Sequence, residues 1–132
     1  MVSTKNLAGE LRDVVGDAYV FSKPEDLLVY ENDGSVDRAL PQVVAVPGSA
    51  EEVAAVVRIA QRHGVPIVPR GAGTGLSGGA ISIRGGILLP LTRLTRILEI
   101  DPVNQTAVVE TGVPNLDVSK AVEPYGLRYT PD

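Results

Sequence analysis

Hydrophobic positions along this chain change their spacing several times, and each change marks an element. Leu7, Leu11, Val14 and Val15 recur at helical intervals, with Ser3 where a cap belongs and Gly16 where a helix stops, so a first helix is expected to end at Val15. Residues 17–41 show no sustained period. Pro24, Glu25 and Asp26 can open one helical turn, and Asn32, Asp33, Gly34 and Ser35 form a turn-prone cluster, so an irregular arm is expected as far as Pro41. The unbroken apolar run Val43, Val44, Ala45, Val46 predicts a short strand buried on both faces and closed by Pro47 and Gly48. Ser49 and Glu52 then form a capping box, and Val53, Val56, Val57 and Ala60 predict the buried stripe of a helix. Arg62 and His63 suit its negative end, and Gly64 is its expected left-handed stop. A second strand is expected over residues 65–69, a brief extension over 81–83, a turn at Arg84, Gly85 and Gly86, and a third strand over 87–89. Residues 97–100 and 107–110 read as a hairpin around the turn 101–105, followed by a helix from Pro114 and Asn115 to about Val122, stopped by Pro124 and Gly126. Short strands interrupted by helices and a hairpin predict an α+β fold with helices packed on a mixed sheet.

Composition narrows the function classes. A chain of 132 residues with 44% hydrophobic residues can bury one core, and its 12 basic against 16 acidic residues, net charge −4, provide no basic cluster to follow a nucleic-acid backbone. With no cysteine, the chain itself supplies no disulfide, thiolate metal site or cysteine nucleophile. Lys5, Glu10, Arg12 and Asp13 interrupt the N-terminal apolar residues, which argues against a secretory signal. No stretch approaches the roughly 20 apolar residues that span a bilayer. The expected location is cytoplasmic, with peripheral attachment to a membrane left open.

The densest chemical signal lies between the second and third strands, where Gly71, Gly73, Gly75, Gly78 and Gly79 fall within ten residues. Bare glycine amides that can take positive φ converge readily on an anion, and Thr74 and Ser77 add hydroxyl donors. A dinucleotide pyrophosphate suits such neutral donors; a flexible surface turn is the structural alternative, although loops of this length are usually functional. Gly73, Gly75 and Gly78 satisfy G-x-G-x-x-G, yet a β-type stretch follows and no carboxylate occurs between Gly73 and Glu99, so the helix and the acidic residue of a Rossmann site are both missing. A Walker loop is excluded because no Gly-Lys-Ser or Gly-Lys-Thr occurs. His63 reads as a dipole-compensating residue rather than a base or ligand, and Glu51 and Glu52 as helix-start residues rather than an acid-base pair. Arg70 can meet a phosphate or bond loop carbonyls.

The run Ile67, Val68, Pro69, Arg70, Gly71, Ala72, Gly73, Thr74, Gly75, Leu76, Ser77, Gly78, Gly79 closely resembles the pyrophosphate segment of the p-cresol methylhydroxylase-type FAD domain, the vanillyl-alcohol oxidase family. Residues 43–57, 87–94 and 108–114, including Glu110, Thr111, Gly112 and Val113, resemble its flanking strands and helix, so the likeness covers about residues 41–132. Within the family the wording is most similar to the flavin subunit of glycolate oxidase and to D-lactate dehydrogenases.

That resemblance implies that the amides of Gly71, Ala72, Gly73, Thr74, Gly75, Leu76, Ser77, Gly78 and Gly79, helped by the Thr74 and Ser77 side chains, cradle the FAD pyrophosphate, with Arg70 a further cofactor-binding candidate and Gly112 and Val113 beside the cofactor. Members that attach flavin covalently through this loop often carry histidine after Arg-Gly-x-Gly; Thr74 stands there, and non-covalent FAD is implied. The implied organisation is an N-terminal helix and irregular arm over 1–41, then the N-terminal part of the FAD-binding domain over 42–132, with the second flavin segment and the substrate domain absent. Substrate-binding and proton-abstracting groups lie mainly in those absent parts, so no catalytic residue is assigned. The implied activity is oxidation of a 2-hydroxy acid, glycolate or D-lactate, to the 2-oxo acid, with an iron-sulfur electron-transfer subunit as a candidate partner. A non-catalytic module binding a nucleotide or a partner is the alternative.

Overall fold

A computed structural model of the chain describes residues 3–131. The chain divides after Arg93 into two compact units.

The first unit is a four-stranded mixed sheet covered on both faces. Its strands are β1 (Val20–Phe21), β2 (Val43–Ala45), β3 (Ile67–Arg70) and β4 (Ile87–Pro90), in the spatial order β1-β2-β4-β3. β1 runs antiparallel to β2, and β4 lies parallel to both β2 and β3. Alternation divides the side chains between the faces. Val43, Ala45, Ile87 and Leu89 join Leu7, Leu11, Val56 and Ile59 from helices α1 (Thr4–Val15) and α3 (Ala50–His63) in one cluster. Val44, Val46 and Leu88 face Leu27, Phe21, Tyr30 and Val68 in the other. This accounts for the unbroken apolar runs, because a strand covered on both sides has no solvent face to keep polar.

The arm is more ordered than its sequence suggests. Val20 and Phe21 form the edge strand β1, extended by the Val46 amide donating to the Tyr19 carbonyl at 2.9 Å, and the short helix α2 (Pro24–Leu27) leads into a 3₁₀ turn at Leu28–Tyr30. A two-residue strand is too short to leave a period, whereas Pro24 at the first helical turn was legible.

Helix α3 follows its signals closely. Ser49 Oγ accepts from the Glu52 amide at 3.2 Å, a cap that contributes about 1 kcal/mol, and Gly64 closes the helix in the left-handed region at φ 63°. Glu52 reaches back one residue further than a standard capping box, accepting from the Gly48 amide at 2.6 Å. Ile59 takes the core position expected of Val57, which is half exposed. With the stripe centred on Val56, one residue further rotates the side chain by roughly 100° toward solvent. At the helix end Glu10 of α1 accepts from both Arg62 and His63, the latter at 2.7 Å, fastening the two helices together. Ser3 caps α1 by position only: its carbonyl accepts from Asn6 and Leu7, and its hydroxyl makes no cap bond.

Parallel strands need a long connection, usually a helix. Between β3 and β4 that connection is instead the loop 71–86, which enters β4 through Gly85 and Gly86 at φ 67° and 82°. Residues 81–83 are not extended as expected: the Ile83 amide donates to the Ile81 carbonyl at 3.0 Å and the Gly85 amide to the Ser82 carbonyl at 2.8 Å, turning the chain back toward the sheet. Ile81 and Ser82 are buried by this turn while Ile83 is exposed.

The second unit is the hairpin β5 (Ile97–Asp101) and β6 (Thr106–Val109) with helix α4 (Asn115–Val122). Asp101 holds the turn by accepting from the amides of Val103 and Asn104, both at 3.0 Å, and Gln105 takes the positive φ of 55° that the reversal requires. Val118 and Val122 are the buried residues of α4, followed by a 3₁₀ turn and Gly126 in the left-handed region.

Candidate functional site

Arg70 is the last residue of β3, and Gly71, Ala72, Gly73, Thr74, Gly75, Leu76, Ser77, Gly78 and Gly79 follow as a loop at the end of the parallel strands β3 and β4. Ends of parallel strands are the usual place for ligand-binding loops, since the backbone there leaves the sheet with its amides unpaired.

The five glycines do different things. Gly73 and Gly78 adopt φ of 71° and 70°, and a Cβ at Gly73 would also strike the Arg70 guanidinium, so backbone geometry demands glycine at both. Gly71, Gly75 and Gly79 lack positive φ, and a Cβ on any of them would meet no atom within 4 Å. Neither packing nor conformation requires glycine there. What glycine supplies at those three positions is an uncovered backbone, open to an approaching group. Thr74 and Ser77 lie exposed between them and contribute hydroxyls. The donor set is neutral and fits a pyrophosphate.

Arg70 has a structural task. Its Nη1 donates to the Asn32 carbonyl at 2.8 Å and to the Ala80 carbonyl at 3.3 Å, and the guanidinium lies 5.9 Å from the centre of the Tyr30 ring. The loop is thereby tied at its root to the arm. The arm also meets the loop elsewhere: Asp33 Oδ2 accepts from the Ala80 amide at 3.4 Å, and Gly34 lies against the carbonyls of Thr74 and Gly75. Bonds from Ser35, first through its hydroxyl and then its amide, hold the Asp33 carboxyl below the ordinary aspartate range, with the Ala80 amide and the Arg70 charge adding to the effect. Sequence reading recognised 32–35 as a turn but missed its contact with a loop some 40 residues on, because no local pattern encodes a pairing at that separation.

Gly112 and Val113 lie in the second unit, between β6 and α4. The Gly112 amide donates to the Leu94 carbonyl at 2.8 Å and the Val113 amide to the Glu110 carbonyl at 3.2 Å. Glu110 anchors this segment: its carboxylate accepts from the Arg96 amide at 2.8 Å, Nε at 2.9 Å and Nη2 at 2.7 Å. The Arg96 side chain, and then its amide, hold the Glu110 carboxyl below the usual glutamate value. A depressed folded-state pKa contributes stability that is complete above the unfolded value, about 4.3, and is lost as pH falls through the folded value. Glu10, Asp33 and Asp101 are depressed in the same direction. Wild-type stability is therefore expected to fall on acidification below about pH 5, and Glu110→Gln to flatten part of that slope. Urea unfolding at several pH values checks this, and an unchanged slope would contradict it.

Among the described residues, no group of three or more His, Cys, Asp or Glu side chains could hold a metal ion, and no helix is long and apolar enough to cross a membrane.

Known proteins place this architecture. The FAD binding domain family matches residues 41–132. The chain is 44% identical over 123 residues to the glycolate oxidase subunit GlcD of Escherichia coli K12, covering 92% of this chain and 25% of that protein. It is 42% identical over 95 residues to a D-lactate dehydrogenase of Anaerostipes hadrus, covering 72% of this chain and 20% of that one. Among solved structures, p-cresol methylhydroxylase superposes with a TM-score of 0.80 at 26% identity, over 93% of this chain and 25% of its own. The chain thus spans about a quarter of the length of the proteins it matches. With its mixed sheet, its glycine loop between parallel strands and these matches in agreement, the chain belongs to the FAD binding domain family of flavin-dependent oxidoreductases, with the p-cresol methylhydroxylase-type fold.

Proposed function

We propose that the loop 70–79 holds the pyrophosphate of a non-covalently bound FAD, and that the whole protein oxidises a 2-hydroxy acid of the glycolate or D-lactate type to the 2-oxo acid. The observation that carries the cofactor reading is the set Gly71, Gly75 and Gly79, which neither conformation nor packing explains. Thr74 and Ser77 add hydroxyl donors, and Arg70 fixes the root of the loop. Neutral amides and hydroxyls bind a diphosphate with less dependence on salt than lysines would. Non-covalent attachment is supported by Thr74 at the loop position where histidine would serve as a link.

Support for the substrate class comes from the names of the relatives, glycolate oxidase subunit and D-lactate dehydrogenase. Bound FAD, its pyrophosphate held by residues 70–79, would supply the two-electron acceptor for that oxidation. The contribution of this chain is to bind and orient. An electron-transfer partner, with an iron-sulfur subunit as the candidate, belongs to the same proposal. The proposed setting is cytoplasmic, with peripheral membrane contact compatible with it.

A chimera tests this reading. With these residues replacing the matching quarter of the Escherichia coli glycolate oxidase subunit, the purified protein is expected to retain FAD releasable by denaturation and to be reduced by glycolate. A chimera that folds but carries no FAD would contradict the cofactor reading.

A further inference from the structure

We propose that the segment 32–38 is the positioning element of the glycine loop, with Asp33 and Gly34 setting the arrangement in which its amides meet an anion. The proposal rests on the loop being the pyrophosphate site, and it adds residues that lie outside the loop and outside residues 41–132 matched by the family.

Three independent contacts carry it. At one end of the loop Arg70 donates to the Asn32 carbonyl at 2.8 Å, and at the other the Ala80 amide donates to Asp33 Oδ2 at 3.4 Å. In the middle, a Cβ at Gly34 would lie 2.6 Å from the Thr74 carbonyl oxygen and 2.9 Å from that of Gly75. The segment is itself closed, by an antiparallel bridge between Asn32 and Arg38 and by the Ser35 amide donating to Asp33 Oδ1 at 2.8 Å. A small preformed turn therefore grips both ends of the loop and supports its centre. The loop makes few backbone bonds of its own; the Ile81 amide to the Gly78 carbonyl, at 3.4 Å, comes only at its far end. Preorganisation supplied from outside lowers the ordering cost that a glycine-rich segment would otherwise meet on binding.

The test is amide nitrogen relaxation by NMR on the chain and on Asp33→Ala, Asp33→Asn and Gly34→Ala, with an FAD titration of each. In the wild type the amides of Gly73, Gly75 and Gly78 are expected near the rigid value of about 0.85 in order parameter, and in Asp33→Ala below about 0.6, while α3 and β4 keep theirs. Asp33→Asn, which retains one acceptor, is expected to fall between them. Gly34→Ala is expected to shift the Thr74 and Gly75 resonances with the sheet unaffected. FAD affinity should drop about tenfold in Asp33→Ala, following the loss of order. Unchanged loop order in both Asp33→Ala and Gly34→Ala overturns the proposal, as does disorder spread equally through the sheet. Relaxation decides the proposal even if the wild type fails to bind FAD, an outcome that would sink the cofactor reading alone.

Discussion

Replacing Gly75 with valine is expected to lower FAD affinity by about one to two orders of magnitude while leaving thermal stability unchanged. Gly75 has no positive φ, and its added Cβ would meet no atom within 4 Å, so the fold has no reason to object. A branched side chain over the exposed backbone would, however, cover the amides offered to the pyrophosphate. A hydrogen bond to a charged group contributes about 1.5–3 kcal/mol, which is roughly 10- to 150-fold in binding. Gly73→Val provides the contrast: at φ 71° and against the Arg70 guanidinium it should disturb the loop before any ligand arrives. Isothermal titration with FAD, beside a melting curve for each variant, separates the two effects. Equal affinity in Gly75→Val and wild type would mean that the bare backbone at this position does not serve the ligand.

Leu88→Ala is expected to cost about 2–5 kcal/mol, a large share of the 5–15 kcal/mol by which domains are ordinarily stable. Leu88 is fully buried in β4, which has strands on both sides, and it faces Leu27, Val44 and Val46. Those neighbours sit on paired strands and on a short helix and cannot all collapse into the cavity. Val57→Ala on the exposed side of α3 should change stability by no more than about 0.5 kcal/mol. Urea denaturation of the two variants checks the difference, and a cost below about 1 kcal/mol for Leu88→Ala would contradict the double-faced core.

The parts of the fold that were legible in the sequence are those where one residue has one physical job. Ser49 and Gly64 bracket α3 because a cap needs an acceptor and a left-handed stop needs no Cβ. The continuous apolar run at 43–46 announced a strand without a solvent face, and the glycine loop announced exposed amides. The parts that were not legible depend on partners far along the chain. Val20 and Phe21 become a strand only because β2 offers an edge, and Asp33 gains significance only from Ala80. Arg70 had two readings from sequence, a phosphate or loop carbonyls, and the positions of Asn32 and Ala80 show the second contact. Val57 belonged to a helical stripe by spacing but lay on the wrong side of its centre. Within the loop, sequence reading treated the five glycines alike, whereas their dihedral angles and surroundings separate two that shape the backbone from three that expose it.

The central claim, that this loop is a pyrophosphate site for FAD, is tested most directly by titrating the purified chain with FAD while following flavin fluorescence and anisotropy, with FMN and NAD as controls. Saturable binding of FAD, in preference to both controls and weakened by Gly75→Val, is the predicted result. Binding of NAD in preference to FAD, or FAD binding indifferent to Gly75→Val, would contradict it.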